Sequence, residues 1–96
     1  MNANELRKIA LKYQELEYLK NYNNTLYRLD KIIEERAKNG WTFLFLKKRK
    51  NSCEYITDGY VFWYLDKMLK DLKKYYKEKG FEFSKSFFRK EIYIAW

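Results

Sequence analysis

The chain has 96 residues, of which 47% are hydrophobic and 21% aromatic, and its formal net charge is +8. This length predicts one domain with one modest core, and the aromatic content excludes a disordered chain. We predict a single domain over residues 1–96, with a helical part over residues 1–40 and a β-α-β-β part over residues 41–96.

Most residue types needed for catalytic and metal sites are missing. The sequence contains no histidine, the commonest general base and metal ligand. Its single cysteine, Cys53, allows neither an intramolecular disulfide nor a thiolate zinc site. Glu34 and Glu35 have the spacing of helix-surface ion pairs with Lys38 and Lys31, and no acidic cluster has metal-ligand spacing. No base accompanies the serines. We therefore predict that the protein is not an enzyme and has no catalytic residue, metal site or cofactor.

No segment has the composition of a membrane anchor. The apolar runs are far shorter than the roughly 20 residues that span a bilayer. The first five residues lack the apolar stretch of a signal peptide. These features predict a soluble protein of the cytoplasm, with no membrane partner.

The first element in the chain is helical. Leu6, Ile9, Tyr13 and Leu16 follow a 3-4-3 spacing that forms one apolar stripe, and the pattern resumes at Leu19 after a change of phase. This spacing predicts either one long bent helix or a helical pair over about residues 3–38. The stripe is typical of core packing or of a homodimer contact.

A strand and a second helix are predicted next. Residues 41–46 are apolar on both faces, which predicts a strand that is covered on both sides or lies centrally in the sheet. Residues 51–57 are predicted as a polar connection, and Thr57 or Asp58 as the cap of the second helix. The glycines just after each helix, at positions 40 and 80, are predicted to cap the helix C-termini in the left-handed conformation. The stripe of the second helix consists of Phe62, Leu65, Leu69, Leu72 and Tyr76.

Two further strands complete the predicted fold. They cover residues 81–83 and 89–96, with a turn at residues 84–86, and Ile92 and Ile94 alternate with polar or mixed neighbours. The prediction is an α+β fold, in which an N-terminal helix or helical pair precedes a β-α-β-β unit. The element order is α-β-α-β-β, and the helices lie on a small three-stranded mixed sheet. The last strand lies either between the other two or at an edge.

Four loose motifs are distributed over nearly the whole chain. They are the opening residues 1–7, the helix end at residues 33–40, the Gly80-Phe81 pair, and the final strand, residues 92–96, which ends in Trp96. In these motifs the chain resembles small phage-encoded α/β proteins of mostly unassigned function. The resemblance implies a viral or mobile-element origin, and hence the cytoplasm of a host cell.

The charge predicts an anionic partner, such as nucleic acid or an acidic protein surface. However, 16 of the 21 cationic residues are lysine, a bias typical of AT-rich genomes, and contacts to bases more often use arginine. Residues 1–40 have a net charge of +2 and the remainder +6, so the charge is concentrated in the second part. We predict a basic edge that meets the partner, formed by Lys47, Lys48, Arg49, Lys50, Arg89 and Lys90.

The aromatic residues form the second candidate surface. Sixteen of them lie in residues 41–96, more than a small sheet under one helix can hide. Exposed rings of this kind stack on nucleic-acid bases or act as anchors in protein interfaces. The candidate aromatic contacts are Trp41, Trp63 and Trp96.

These features predict a small non-catalytic binding protein of phage type. Its function is predicted to be that of an inhibitor that docks on a host or defence protein complex. The alternative is an RNA- or DNA-binding protein that uses its basic, aromatic surface. A homodimer formed through the N-terminal helix is also predicted.

Overall fold

The structure is a computed structural model that describes the chain except for Asn51, Leu65 and residues 87–89. It is an α+β fold with an N-terminal helix, as predicted, but its sheet has five strands. The elements in chain order are α1 (Ala3–Lys38), β1 (Phe43–Lys48), β2 (Glu54–Thr57), β3 (Tyr60–Trp63), α2 (Asp66–Glu78), β4 (Glu82–Ser86) and β5 (Glu91–Ala95).

Helix α1 is one continuous helix of 36 residues, so the helical pair is not formed. Its first turn has a capping box, in which Asn2 Oδ1 accepts from the Glu5 amide at 2.9 Å and the Glu5 carboxylate accepts from the Asn2 amide at 3.3 Å. The helix ends at Lys38. Gly40 follows with a φ of 84°, the left-handed conformation predicted for it.

Only the part of α1 from Tyr18 onward packs on the domain. The buried residues of α1 all lie between Thr25 and Ile33, whereas every residue from Ala3 to Glu17 is exposed. At 1.5 Å per residue the helix is about 54 Å long, close to the 57 Å longest dimension of the whole molecule. The N-terminal half of α1 therefore projects beyond the sheet.

The sheet has the strand order β3-β2-β1-β5-β4, and all neighbouring strands are antiparallel. The three predicted strands correspond to β1, β4 and β5, and the last of them lies between the other two, one of the two arrangements considered. The prediction of a mixed sheet was wrong. Strands β1 and β4 run in the same direction, but β5 lies between them, so β1 and β4 do not pair.

The hairpin formed by β2 and β3 was not predicted. Residues 51–57 were expected to be a connection and Asp58 a helix cap, but Asp58 and Gly59 form the two-residue turn between β2 and β3. Their φ values of 48° and 81° are those of a type I′ turn, which matches the twist of paired strands. Phe62, predicted in the second helix, is a buried residue of β3, and α2 begins only at Asp66.

The predicted turn at residues 84–86 was also wrong, because these residues belong to β4 and pair with β5. The connection between the two strands includes residues outside the described part of the chain. In β5 the predicted alternation is confirmed, because Ile92 and Ile94 are both fully buried.

Both helices cover the same face of the sheet. Their buried side chains form one core with those strand residues that point toward them. This core contributes most of the stability, at about 25 cal/mol for each Å² of apolar surface removed from water. Its fully buried side chains are Leu29, Leu44, Leu46, Leu72, Tyr76, Ile92 and Ile94.

An ion pair joins the end of α1 to the β2–β3 turn. Arg36 donates from Nε and Nη2 to the two carboxylate oxygens of Asp58, at 3.0 and 2.6 Å. This contact holds the pKa of Asp58 below its ordinary value of 3.8. A lowered carboxyl pKa contributes stability that is present above the ordinary value and is lost as the pH falls through the lowered one.

We expect Asp58→Asn to lower the free energy of unfolding by about 0.5–1 kcal/mol at pH 7, because it removes a bidentate but partly exposed pair. Asparagine keeps the turn, since Asn-Gly also favours type I′ geometry. Urea denaturation should show this difference from wild type unchanged between pH 7 and about pH 5, and vanishing in strong acid. Lys38→Ala, which breaks the highly exposed Glu34–Lys38 pair, is the control and should have almost no effect. A difference that persists in strong acid would contradict the assignment to the ion pair.

Candidate binding surface

The sheet face that points away from the helices, here called the outer face, carries a row of aromatic rings. In β1, Phe43 and Phe45 alternate with the buried Leu44 and Leu46, so their rings point outward. Tyr93 of β5 lies directly opposite Phe45, with ring centroids 5.1 Å apart. Phe43 contacts Phe45 at 5.5 Å and Trp41 at 5.4 Å. We call these four residues the aromatic row.

The apolar surface continues across β2 and β3. Ile56 and Val61 are register partners on the outer face, and Trp63 lies on the same face two residues further along β3. Trp63 is 64% exposed, compared with 48% for Trp41 and 39% for Phe45. Because these side chains belong to paired strands, rigid backbone presents them together as one surface.

A hydrogen-bonded group fixes the orientation of Trp63. The Trp63 ring donates from Nε1 to one carboxylate oxygen of Glu54, its cross-strand partner, at 3.1 Å. Arg49 donates to the other oxygen of the same carboxylate, also at 3.1 Å. The Trp63 ring is therefore held in place although most of its surface is exposed.

The charged side chains of the outer face are mainly acidic. The strand registers place Glu54, Glu82 and Glu91 on this face, with Lys47 directly opposite Glu91. The positive charge of the protein lies elsewhere, and much of it is on the exposed side of α2. The lysines of that helix are Lys67, Lys70, Lys73, Lys74 and Lys77.

The predicted basic edge lies at one end of the sheet. Lys47 and Lys48 are the last residues of β1, and only Lys47 points to the outer face. The Lys48 amide donates to the Lys90 carbonyl at 3.0 Å, which brings the start of β5 to the same end. The backbone therefore places Lys90 beside the run of cations that follows β1.

The other members of the predicted edge differ in their surroundings. Arg49 is paired with Glu54, so part of its charge is neutralised. Lys50 is exposed, and Arg89 lies outside the described residues. The basic edge is thus a short cationic border of the outer face. One of its charges, that of Arg49, is already paired with Glu54.

The three tryptophans do not share one surface. Trp41 and Trp63 belong to the outer face, at opposite ends of the apolar band. Trp96 continues the inward alternation of Ile92 and Ile94, packs against the core, and has its ring 6.4 Å from that of Phe81. Trp96 therefore supports the core and does not contribute to the outer face.

Several acidic side chains serve as hydrogen-bond partners inside the fold. Asp30 and Asp71 accept from the tyrosine hydroxyls of Tyr76 and Tyr18, which joins α1 to α2. Within the described residues, no three acidic or cysteine side chains are grouped so that they could hold a metal ion. Cys53 is exposed.

A groove of about 790 Å³ separates α1 from the β3 edge of the sheet. Its α1 side is polar and includes Asn21, Asn24 and Arg28, and its β3 side includes Val61 and Trp63. The groove meets the outer face at these two β3 residues, so a partner on the outer face would also reach this edge.

Comparison with protein-family models, curated proteins and solved structures found no match to this chain. The resemblance to small phage proteins therefore stays a prediction. Neither helix in the described part of the chain is long and apolar enough to cross a membrane.

The centre of this surface was not predicted from the sequence. Phe43, Phe45 and Tyr93 were assigned to strands but not to a binding site. A signal for them exists, because aromatic residues at these positions alternate with leucine or isoleucine on the opposite face. In β1 and β5, aliphatic side chains pack the core, whereas the rings remain on the outer face.

Proposed function

We propose that this protein is a non-catalytic binding module whose outer face docks on another protein. The observation that carries the proposal is the aromatic row, which lies on the sheet face opposite the packed helices. Of α1, the Arg36 side chain reaches it and stacks on the Trp41 ring at 5.3 Å. Exposed apolar surface of this extent marks interaction sites, and aromatic anchors supply much of the affinity in protein interfaces. An inhibitor that blocks a surface of a host or defence complex is the function we favour.

The charge of the outer face favours a protein partner over nucleic acid. A single strand whose bases stack on the aromatic row would carry its phosphates past Glu82 and Glu91, where like charges repel. The charge of Glu54 is already balanced by Arg49. Proteins that bind single strands instead combine stacking rings with a positive groove. On this chain the lysines of α2 lie away from the rings.

The partner surface that fits best is apolar at its centre and acidic along one border. The centre would cover the aromatic row, and the acidic border would face Lys47, Lys50 and Lys90. Charges at the rim of an interface mainly raise the association rate, whereas buried rings lower the dissociation rate. The cationic border thus guides the partner to the surface, and the aromatic row holds it.

We expect Phe45→Ala to weaken partner binding about 30-fold or more, because truncation of an aromatic anchor at an interface centre costs about 2 kcal/mol or more. Immobilised protein is exposed to nuclease-treated bacterial lysate, and retained proteins are quantified for wild type, Phe45→Ala and Tyr27→Ala. Tyr27 is an exposed ring on α1, 61% exposed and away from the sheet, and its variant should retain the partner as wild type does.

Two results would contradict the proposal. If all three proteins retain the same partners equally, the outer face is not the contact. If single-stranded RNA or DNA quenches the tryptophan fluorescence of wild type at micromolar concentration, but not that of Phe45→Ala, the partner is a nucleic acid.

A further inference from the structure

The projecting half of α1 carries an apolar stripe that its own domain does not cover. Leu6, Ile9, Tyr13 and Leu16 are between 44% and 66% exposed and repeat at a 3-4-3 spacing. Such spacing places the side chains along one line of the helix surface, as in the seam of a coiled coil.

This stripe lies on the opposite side of α1 from the residues that pack on the sheet. With 3.6 residues per turn, the line through Leu6 and Leu16 is about half a turn around the axis from the line through Tyr18, Thr25 and Leu29. Leu11 does lie in line with Tyr18, but it is 59% exposed because the sheet does not extend that far. The domain therefore cannot fold back to bury the stripe without turning the helix over.

We propose that the stripe pairs with the same stripe of a second copy, in a parallel two-stranded coiled coil. The contact is isologous and forms a two-fold dimer, the commonest symmetric arrangement. The proposal is independent of the function proposed for the outer face. Because the packed side of α1 faces away from the stripe, the two sheets would lie on the outside of the dimer, with both outer faces accessible.

The charges that flank the stripe select the parallel orientation. Lys12 precedes Tyr13 and Glu17 follows Leu16, so these two residues border opposite sides of the stripe. In a parallel pair, Lys12 of each chain lies beside Glu17 of the other chain, which gives two attractive contacts. In an antiparallel pair, Lys12 would meet Lys12 of the second copy. Opposite charges at such flanking positions set the orientation of coiled coils.

The extent of the stripe predicts a weak dimer. It covers two heptads and ends at Lys20, the next position on the same side of the helix. Two heptads bury less surface than a permanent dimer needs. The protein should therefore change from monomer to dimer as its concentration rises.

The test is sedimentation velocity of the full chain over a range of concentrations. Wild type should form a dimer, and Leu16→Lys should remain a monomer at all concentrations. The matched control is Leu11→Lys, an exposed leucine of the same helical segment outside the stripe, which should form a dimer as wild type does. Both positions are exposed, and circular dichroism checks that both variants are folded.

A charge exchange tests the orientation. Lys12→Glu and Glu17→Lys should each weaken the dimer about tenfold, because two attractive contacts become repulsive. An equimolar mixture of the two variants should recover dimerisation, since every contact in the mixed dimer again joins opposite charges. A monomeric wild type, or equal loss in Leu11→Lys and Leu16→Lys, would overturn the proposal. A mixture that fails to recover would overturn the parallel arrangement.

Discussion

Replacing Tyr76 with alanine is expected to lower the free energy of unfolding by about 3–5 kcal/mol, the usual cost of truncating a large buried ring. Tyr76 is fully buried in α2. Its ring packs edge-on against Phe81 at 5.3 Å and is stacked on Phe83 at 6.1 Å. Its hydroxyl donates to Asp30 of α1 at 2.9 Å, so this one side chain joins both helices to β4.

Two further variants separate the parts of this effect. Tyr76→Phe keeps the ring and removes only the hydrogen bond, so we expect a loss of about 1 kcal/mol. Tyr75→Ala removes a neighbouring ring that is only half-buried, and we expect a much smaller loss than for Tyr76→Ala. Urea denaturation of the three variants measures these values. Equal losses of unfolding free energy for Tyr75→Ala and Tyr76→Ala would mean that Tyr76 is not a central residue of the core.

The sequence allowed the helices and three of the five strands to be predicted, because their signals are local. The 3-4 spacing of α1 and α2 and the glycine after each helix need no knowledge of the rest of the fold. The alternation of Ile92 and Ile94 is local too. These features were therefore visible without the tertiary structure.

The hairpin could not be separated from a helix on local grounds. Asp58-Gly59 resembles both a helix cap and a hairpin turn, and Phe62 fits the extended stripe of α2. The deciding contact is non-local, because β2 pairs with the edge of β1 through Lys47 and Ile56. Without this pairing, β1 would be an edge strand, a position that β3 takes instead.

The binding surface was predicted only in part, for a similar reason. Residues 41–46 are apolar on both faces, and the prediction was a strand either covered on both sides or central in the sheet. The strand β1 is central. Coverage depends on how far the helices extend over the sheet, and the helices cover one face only. The run of cations was equally visible in the sequence, but the pairing of Arg49 with Glu54 depends on the unpredicted hairpin.

Adjacent residues of β5 allow the two faces of the sheet to be tested separately. Ile94 is fully buried and lies opposite Leu44 and Phe83, whereas Tyr93 belongs to the aromatic row. We expect Ile94→Ala to lower the free energy of unfolding by about 2–4 kcal/mol, through lost burial and an internal cavity. Tyr93→Ala should cost about 1 kcal/mol, the value of a cross-strand aromatic contact.

Ile94→Ala should have the larger effect on stability, whereas Tyr93→Ala should have the larger effect on binding. Tyr93→Ala removes a ring that contacts Phe45, so it should reduce retention of the partner nearly as much as Phe45→Ala does. Ile94→Ala leaves the outer rings in place and, below its unfolding transition, should retain the partner as wild type does. Chemical denaturation and the retention assay, applied to the same two proteins, measure both properties. The two side chains share one strand and differ in the face to which they point. The division between a stabilising face and a binding face would therefore be wrong if Ile94→Ala lost the partner while still folded, or if Tyr93→Ala kept it.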